Sequence, residues 1–298
     1  MRVFLTGATG FIGSAIIPEL LAAGHQVTGL VRSDAGARAL VAAGVQVQHG
    51  ALDDLEGLRR GAAAADGVIH TAFIHDFKDM AAAGRTDLNA ITAFGAALAG
   101  SDRPLVVTSG TAHLPAGRSS TEEDAPDANA PARHRIPSEE ATLALAARGV
   151  RACLIRLPLS VHGEGDHGFV PALIGVARAT GVSAYIGDGM NRWPAVHRLD
   201  AARLFRLALE KGSAGARYHG IADQGIPVRE IAQVIGRRLQ LPVASRSPQE
   251  ADGHFGWLAT FIVLDRPSSS TLTQQRLGWK PVHAGLLSDL DRPAYFAS

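Results

Sequence analysis

The chain has 298 residues, of which 46% are hydrophobic, and its 29 basic and 28 acidic side chains leave a net charge of +1. This is enough apolar sequence for one large α/β domain with an appended lobe. The balanced charge, without a basic run, argues against a nucleic-acid partner. No stretch reaches the roughly 18 apolar residues that a membrane span needs, and no signal peptide precedes the first strand. Together with the single cysteine, Cys153, these features predict a cytoplasmic protein without a membrane partner.

The first predicted strand, RVFLTG, leads into a predicted helix, GSAIIPELLAAG, through a turn that contains three glycines. Gly7 permits a tight turn, Gly10 lets the backbone approach a pyrophosphate, and Gly13 lets the helix pack closely on the sheet. The N–H groups at the start of the helix then face the phosphates. We therefore predict that this loop binds a dinucleotide, and the expected contacts are Gly7, Thr9, Gly10, Phe11, Ile12 and Gly13.

The second predicted strand, QVTGLVRS, ends in the residues that distinguish NADP from NAD. An acid at this position binds the ribose hydroxyls of NAD, whereas an arginine accommodates the 2′-phosphate of NADP. Arg32 follows the apolar run with Ser33 beside it, and both are expected to contact NADP. Asp34 keeps NAD as the alternative, although it can instead cap the next helix, AGARALVAAG.

Strands and helices continue to alternate along the chain. The further predicted strands are GVQVQHG, DGVIHTAF, RPLVVTSGTA and VRACLIRLPLSVHG, and the helices between them are LDDLEGLRRGAAAA, RTDLNAITAFGAALAG and SEEATLALAARG. This order predicts an α/β fold with a doubly wound parallel sheet, in which ligands bind beyond the carboxyl ends of the strands. The remaining cofactor contacts that we expect are Leu52, Thr71, Ala72, Phe73, Asn89, Ser109, Leu157, Pro158 and Leu159. The polar, proline-rich stretch 112–137 is too long for a simple crossover and is interpreted as a substrate-side loop.

Several of these pieces together resemble the extended branch of the short-chain dehydrogenase/reductase family, which includes sugar-nucleotide epimerases and dehydratases. The similar segments are TGATGFIG, VIHTAF, LVVTSGTA, RLPLSVHGEGD, WPAVHRLDAARLFRLALE and LGWKP. The resemblance implies an NAD(P)-binding Rossmann core over residues 1–158, to which 196–222 returns. It also implies a smaller C-terminal substrate lobe, mainly within 159–298, and a homodimer, because members of the family are often dimers.

The expected catalytic residues of that family do not occur in this sequence. The family uses a Tyr-x-x-x-Lys pair, but none of the tyrosines, Tyr185, Tyr218 and Tyr295, is followed by lysine four residues later. Aligning Ser138 with the serine that often precedes the lysine puts Arg135 in the tyrosine position and Glu139 in the lysine position. Arg135 can orient an anion or polarise a carbonyl, or it can pair with Glu139 across one helical turn.

Other residues must then supply the proton. Gly110 takes the usual serine position of the fifth strand, with Ser109 and Thr111 on either side. Histidine is the ordinary acid or base near neutral pH, and the loop histidines at the expected ligand end are His75, His113, His134, His162, His167 and His197. His162 is the preferred candidate because it ends the strand that should pass the nicotinamide. The catalytic candidates are therefore His162, Arg135, Ser109, Thr111, Ser138 and Glu139.

The segment HGEGDHG fits no standard ligand spacing, so no metal is expected. The substrate side offers Tyr185, Trp193, Phe255, Trp257 and Phe261, which either line a pocket or form the core of the lobe. The sequence thus predicts an NADP(H)-dependent oxidoreductase that acts on a small carbonyl or imine substrate. The alternative is a non-catalytic NADP(H)-binding sensor, which the missing Tyr/Lys pair favours.

Overall fold

The computed structural model of the protein describes residues 1–76 and 78–297. In chain order its strands are β1 (Arg2–Thr6), β2 (Gln26–Val31), β3 (Gln46–His49), β4 (Gly67–His70), β5 (Pro104–Gly110), β6 (Arg151–Leu157), β7 (Ser160–His162), β8 (Ser183–Ile186), β9 (Arg192–His197), β10 (Arg217–His219), β11 (Asp223–Pro227) and β12 (Val243–Arg246).

The α-helices are α1 (Gly13–Ala22), α2 (Asp34–Ala42), α3 (Leu55–Ala64), α4 (Met80–Leu98), α5 (Ile136–Ala144), α6 (Phe169–Thr180), α7 (Arg198–Lys211), α8 (Val228–Leu239), α9 (Ala251–Phe255), α10 (Ala259–Ile262), α11 (Thr271–Leu277) and α12 (Leu286–Leu290). Short 3₁₀ helices cover Arg133–Arg135, Leu145–Arg148, Pro248–Glu250, Gly256–Leu258 and Pro293–Tyr295. None of the helices within the described residues has both the length and the apolarity to cross a membrane.

The main sheet has seven parallel strands in the order β10-β6-β5-β4-β1-β2-β3. Side chains alternate across it, because successive residues of a strand point to opposite faces. On β1, Val3 and Leu5 pack with α1 and α7 on one face, whereas Phe4 packs with α3 and α4 on the other. Both faces are therefore covered by helices, and the fold is the predicted doubly wound Rossmann type.

The segment VRACLIRLPLSVHG does not form the single strand that its sequence predicts. β6 pairs with β5 and β10 in the main sheet, whereas β7 pairs with β9 in a separate three-stranded sheet of order β11-β9-β7. Pro158 lies between the two strands, and proline has no N–H to donate to a sheet ladder. The chain therefore leaves the main sheet after Leu157 and enters the C-terminal lobe.

The C-terminal lobe is built from the three-stranded sheet, the parallel pair β8 and β12, and the helices α6, α8, α9, α10 and α12 around one hydrophobic cluster. Leu159 belongs to this cluster, and Ala112 packs against it. These two residues follow β6 and β5, so the lobe core adjoins the carboxyl ends of the central strands. Trp279 of the LGWKP segment returns instead to the Rossmann core, where its indole N–H donates to the Asp200 carbonyl at 2.9 Å.

Candidate active site

The glycine loop between β1 and α1 has no room for side chains at two of its three glycines. Gly7 has a φ of +71°, and a Cβ there would lie 2.6 Å from Thr71 Oγ1. A Cβ on Gly13 would lie 2.0 Å from the Gly7 carbonyl oxygen, whereas Gly10 is exposed and its Cβ would meet only that oxygen, at 3.1 Å. Helix α1 begins at Gly13, so its positive end adjoins the loop. This open cradle at a helix N-terminus fits the pyrophosphate of a dinucleotide.

Phe11 connects the glycine loop with the rest of the molecule. Its ring centroid lies 5.6 Å from that of His167, and the Arg198 guanidinium carbon lies 5.1 Å from the same centroid. Ile12 packs against the Rossmann core, and Thr9 is exposed. The predicted loop residues thus lie together on one surface that faces segments from both parts of the chain.

Arg32 lies just beyond the end of β2 with an exposed side chain. Its guanidinium makes no ion pair or side-chain hydrogen bond with the residues that the structure describes. Ser33 is the N-cap of α2, because its Oγ accepts a hydrogen bond from Gly36 N at 3.2 Å. Asp34 is the first helical residue, so its expected role as the cap is wrong; its charge still suits the first turn. The side chain beside the expected adenosine end of the cofactor is therefore a free cation.

The residues that follow β4 and β6 border the same end of the sheet. Thr71 Oγ1 donates to the Thr6 carbonyl at 2.8 Å, which holds the start of the loop after β4. Leu157 and Leu159 are buried, as is Pro158, while Leu52, Ala72 and Phe73 are half-buried. Asn89 is exposed on α4, and Asp87 of the same helix points inward instead.

Arg135 is fixed at the carboxyl ends of β4 and β5. It donates through Nη2 to the Thr108 carbonyl, its Nη1 lies 3.5 Å from Asp87 Oδ2, and its guanidinium lies 4.1 Å from the centre of the Phe73 ring. Asp87 also accepts a hydrogen bond from His70 Nε2 at 3.1 Å. Burial raises the pKa of Asp87, but Arg135 and His70 outweigh that effect and leave it below its usual value. The result is a planar cation held in one orientation above the sheet.

Glu139 does not pair with Arg135, and that expectation is wrong. Instead its Oε1 accepts from His113 Nε2 at 2.8 Å, and Arg156 of β6 donates to it through Nε at 3.0 Å and through Nη2 at 2.7 Å. All three side chains are at most 1% exposed. Burial raises the pKa of Glu139, but the bonds from His113 and Arg156 outweigh it, so the net pKa lies well below the usual range. Glu139 is therefore a carboxylate that orients His113.

Several buried polar atoms at the end of β5, just after it and on α5 have no hydrogen-bond partner within the described residues. Ser109 Oγ, Thr111 Oγ1 and His113 Nδ1 are buried, and none has a hydrogen-bond partner within residues 1–76 and 78–297. Ser138 Oγ at the start of α5 also has no partner by hydrogen-bond distance, but it lies near the Asp87 carboxylate, whose pKa it helps to lower. Buried polar atoms are normally hydrogen-bonded, so this row of hydroxyls and one imidazole nitrogen is suited to a ligand oxygen. Three of the four were predicted as catalytic; His113 was only one of several loop histidines.

His162 lies elsewhere, inside the C-terminal lobe. It is fully buried on β7, its Nδ1 donates to Asp289 Oδ2 at 2.9 Å, and its ring contacts that of His197 at 5.4 Å. Its contacts include none of the polar atoms that follow β5. The described part of the chain also holds no cluster of His, Cys, Asp or Glu placed to bind a metal ion.

Some aromatic residues of the lobe form its core, and others lie at its surface, where they can line a pocket. Trp193 and Phe255 are buried in the lobe core, whereas Trp257 is 48% exposed. Phe169 joins these environments, because its ring centroid lies 5.9 Å from both tryptophans and 4.8 Å from that of Phe261. The lobe thus presents an aromatic surface at the start of α6.

Comparison with known proteins agrees with this geometry. The profile of the NAD dependent epimerase/dehydratase family matches residues 3–221. An uncharacterized protein of Schizosaccharomyces pombe is 55% identical over 298 residues, which is 99% of this chain and 100% of that protein. A ketoreductase of Stigmatella aurantiaca, which acts on a 4-hydroxy-2-methyl-3-oxo-4-farnesyl-3,4-dihydroquinoline-1-oxide, is 29% identical over 237 residues, 76% of this chain and 70% of that protein.

Among solved structures, the dTDP-glucose 4,6-dehydratase DesIV of Streptomyces venezuelae, with NAD bound, is similar with a TM-score of 0.80. The match covers 99% of this chain and 97% of that one at 21% identity, and it shows the shared fold. The class is therefore that of proteins with the extended short-chain dehydrogenase/reductase fold. Within it, the chain belongs to the NAD dependent epimerase/dehydratase family, whose profile covers most of its length.

Proposed function

We propose that the protein is an NADP(H)-dependent oxidoreductase that reduces a small carbonyl compound. The observation that carries this proposal is the set of buried, unpartnered polar atoms on Ser109, Thr111 and His113. A carbonyl or hydroxyl oxygen would satisfy them, and leaving buried donors unsatisfied is unfavourable. No feature of the described residues favours the sensor alternative in the same way.

The glycine loop and Arg32 are the residues that would hold the dinucleotide. The loop would face the pyrophosphate, and the free guanidinium of Arg32 would pair with the 2′-phosphate of NADP. When bound, the nicotinamide supplies or accepts the hydride. We assign Arg135 the ribose-holding role that the lysine has in the family, since Thr108 and Asp87 fix its charge at the carboxyl ends of β4 and β5.

His113 is the proposed proton donor in place of the family tyrosine. Its Nε2–H donates to the Glu139 carboxylate, which leaves Nδ1 as a buried ring nitrogen without a partner in the described part of the chain. The bond to Glu139 fixes the orientation of the ring, and a proton carried on Nδ1 would pass to the substrate oxygen as the hydride reaches the carbonyl carbon. Arg156 holds Glu139 in place but does not itself reach the hydroxyl groups through any contact in the structure.

The relatives support the carbonyl as the reacting group and a nicotinamide as the cofactor. One relative is a ketoreductase, and DesIV binds NAD. An imine substrate remains the alternative to a carbonyl; it would already carry its proton and would need no imidazole donor.

The cofactor part is tested by titrating NADPH and NADH against the wild type and Arg32→Asp. We expect the wild type to bind NADPH roughly ten- to hundredfold more tightly, since a charge-assisted hydrogen bond contributes about 1.5–3 kcal/mol. The substitution should reverse or abolish the preference. Equal affinity of the wild type for both cofactors would contradict the assignment of Arg32.

The proton-transfer part is tested by kinetics with a panel of ketones and aldehydes. His113→Gln should lower kcat by about 10²–10⁴-fold, the usual contribution of a general acid, while NADPH affinity stays unchanged. His162→Gln serves as the comparison, because the sequence favoured that histidine. Loss of activity in His162→Gln alone would transfer the role to His162, and cofactor binding without turnover of any substrate would favour the sensor alternative.

A further inference from the structure

Arg266 is a largely buried cation, and two of its three guanidinium nitrogens have no hydrogen-bond partner within the described residues. Its side chain is 5% exposed, and both Nε and Nη1 are buried without a partner among residues 1–76 and 78–297. Arginine keeps its charge in proteins, so it cannot adapt to burial by losing a proton. Buried polar atoms are normally hydrogen-bonded, so the two unpartnered nitrogens of Arg266 are suited to an anion that does not belong to the chain itself.

The carboxylates near Arg266 are engaged elsewhere. Asp265 accepts hydrogen bonds from Arg192 at Nε and Nη2, each at 2.9 Å. Asp127 accepts from the backbone N–H of Asn129 at 2.9 Å. Burial lowers the pKa of Arg266, and the charges of Asp127 and Asp265 oppose that lowering only in part, so both carboxylates lie near the guanidinium. Neither one hydrogen-bonds to it, and the guanidinium retains its capacity to bind an anion.

Arg266 belongs to a segment that is hydrogen-bonded to the loop after β5. The segment that carries it runs along the loop after β5: Gly117 N donates to the Asp265 carbonyl at 3.2 Å, and Ser120 N donates to the Pro267 carbonyl at 2.9 Å. Asp127, whose charge acts on Arg266, donates through its own N–H to the His113 carbonyl at 2.8 Å. The segment of Arg266 and the backbone of the proposed proton donor thus both contact the loop that follows β5.

We propose that Arg266 binds a carboxylate of the substrate, so that the substrate class is the oxo acids. This inference rests on the proposed function, which supplies the carbonyl as the second recognised group. A carboxylate matches the planar donors of a guanidinium, and its entry would satisfy the nitrogen atoms that the folded chain leaves unpartnered. The carbonyl of the same molecule would then accept from the group formed by Ser109, Thr111 and His113.

The test measures binding and does not depend on turnover. The full-length protein is saturated with NADP⁺, which cannot reduce a ketone, and is titrated calorimetrically with 2-oxopentanoate, 4-oxopentanoate and pentan-2-one at constant ionic strength. We expect at least one of the acids to bind at least tenfold more tightly than the neutral ketone. Arg266→Met should remove that preference and leave pentan-2-one unchanged. Arg118→Met, which removes an exposed arginine from the same loop region, should behave as the wild type.

The melting temperature of Arg266→Met gives a second readout. It should be equal to or higher than that of the wild type, because the substitution removes a buried charge without removing a hydrogen bond. A melting temperature well below that of the wild type would mean that Arg266 is a structural residue and would overturn the proposal. Equal affinities of the wild type for the acids and the ketone, or acid binding by Arg266→Met at wild-type strength, would overturn it as well.

The two proposals fail in different ways. If the wild type binds an oxo acid through Arg266 but oxidises NADPH with none of the three compounds, the proposed reductase activity is wrong and the carboxylate site stands. If it oxidises NADPH with pentan-2-one as readily as with the acids, the reductase activity stands and the carboxylate site is wrong.

Discussion

Replacing Glu139 with glutamine tests the buried charged group that supports the proposed active site. The substitution keeps the size of the side chain but removes its charge, so Arg156 loses its ionic partner. Arg156 is 0% exposed, and its remaining bond is to the Asp124 carbonyl at 3.0 Å. Breaking a buried ion pair from one side costs about 3–5 kcal/mol. We expect Glu139→Gln to lower the free energy of unfolding by that amount at pH 7.

Urea denaturation followed by circular dichroism measures this loss, with Glu140→Gln as the matched control. Glu140 is the exposed neighbour on the same helix, and its substitution should change stability by no more than about 0.5 kcal/mol. The double variant Glu139→Gln/Arg156→Met should be more stable than Glu139→Gln alone, because it also removes the unpaired buried cation. A loss below about 1 kcal/mol in Glu139→Gln, a value ordinary for any substitution, would refute the reasoning.

The ionisation of Glu139 should make the stability of the folded protein depend on pH. Glu139 has a folded-state pKa below its unfolded value of 4.5, so the unfolded chain binds the proton first as the pH falls. The wild type should therefore lose stability as the pH drops below about 4.5, and Glu139→Gln should lose less over the same range.

Three further predictions concern other parts of the molecule. Gly13→Ala should abolish NADPH binding and lower the melting temperature, since the added Cβ would lie 2.0 Å from a backbone oxygen. The control is Gly175→Ala: Gly175 is exposed on α6, and its Cβ would meet no atom within 4 Å, so this substitution should stabilise the protein by about 0.5–1 kcal/mol. Burial lowers the pKa of His219 to about 4. Between pH 6.5 and 4, this histidine is therefore protonated in the unfolded chain but not in the folded protein. The melting temperature of the wild type should fall as the pH drops through that range, and that of His219→Gln should fall less. Tyr295→Phe should keep kcat within a few fold of the wild type. Its free energy of unfolding should fall by about 1–2 kcal/mol, because the substitution removes a hydroxyl that accepts a hydrogen bond from Gly163 N–H at 3.0 Å. A large loss of kcat would mean that a tyrosine acts in catalysis.

The parts of the fold that local sequence determines were predictable. The glycine loop, the helix after it and the alternation of strands and helices each follow from spacing within about a dozen residues. The break after Leu157 was not predicted, because the apolar pattern continues through Pro158 into β7 and only the pairing with β9 separates the two strands. Pro158 was the signal available in the sequence, because a proline within a strand pattern argues against one continuous central strand.

The same break places His162 on a strand of the lobe sheet, which the sequence did not predict. A single strand ending at His162 would have carried it past the nicotinamide, but β7 belongs to the lobe sheet and brings it to Asp289. Arg156 and Asp87 were missed because each is one charged residue in an otherwise apolar pattern. A charged residue on a buried strand or helix face implies a buried partner. The partner of Arg156 is Glu139 and that of Asp87 is Arg135. Each partner lies on another element, so only the tertiary structure identifies it.

The departure from the family Tyr/Lys pair extends beyond the two altered positions. A carboxylate at position 139, buried on α5, is tolerated because it forms an ion pair with Arg156 and accepts a hydrogen bond from His113. A cation at position 135 is tolerated because Asp87 and the Thr108 carbonyl accept from it. In the proposed site, Arg135 is the positive group at the carboxyl ends of β4 and β5, four residues before the expected lysine position. The proposed proton donor, His113, lies on the loop after β5. A lysine at position 139 would place a second cation against the buried Arg156 with no carboxylate between them. Arg135 and Glu139, which stand at the expected tyrosine and lysine positions, therefore depend on their partners Asp87, Arg156 and His113, and we expect their effects on stability to be non-additive.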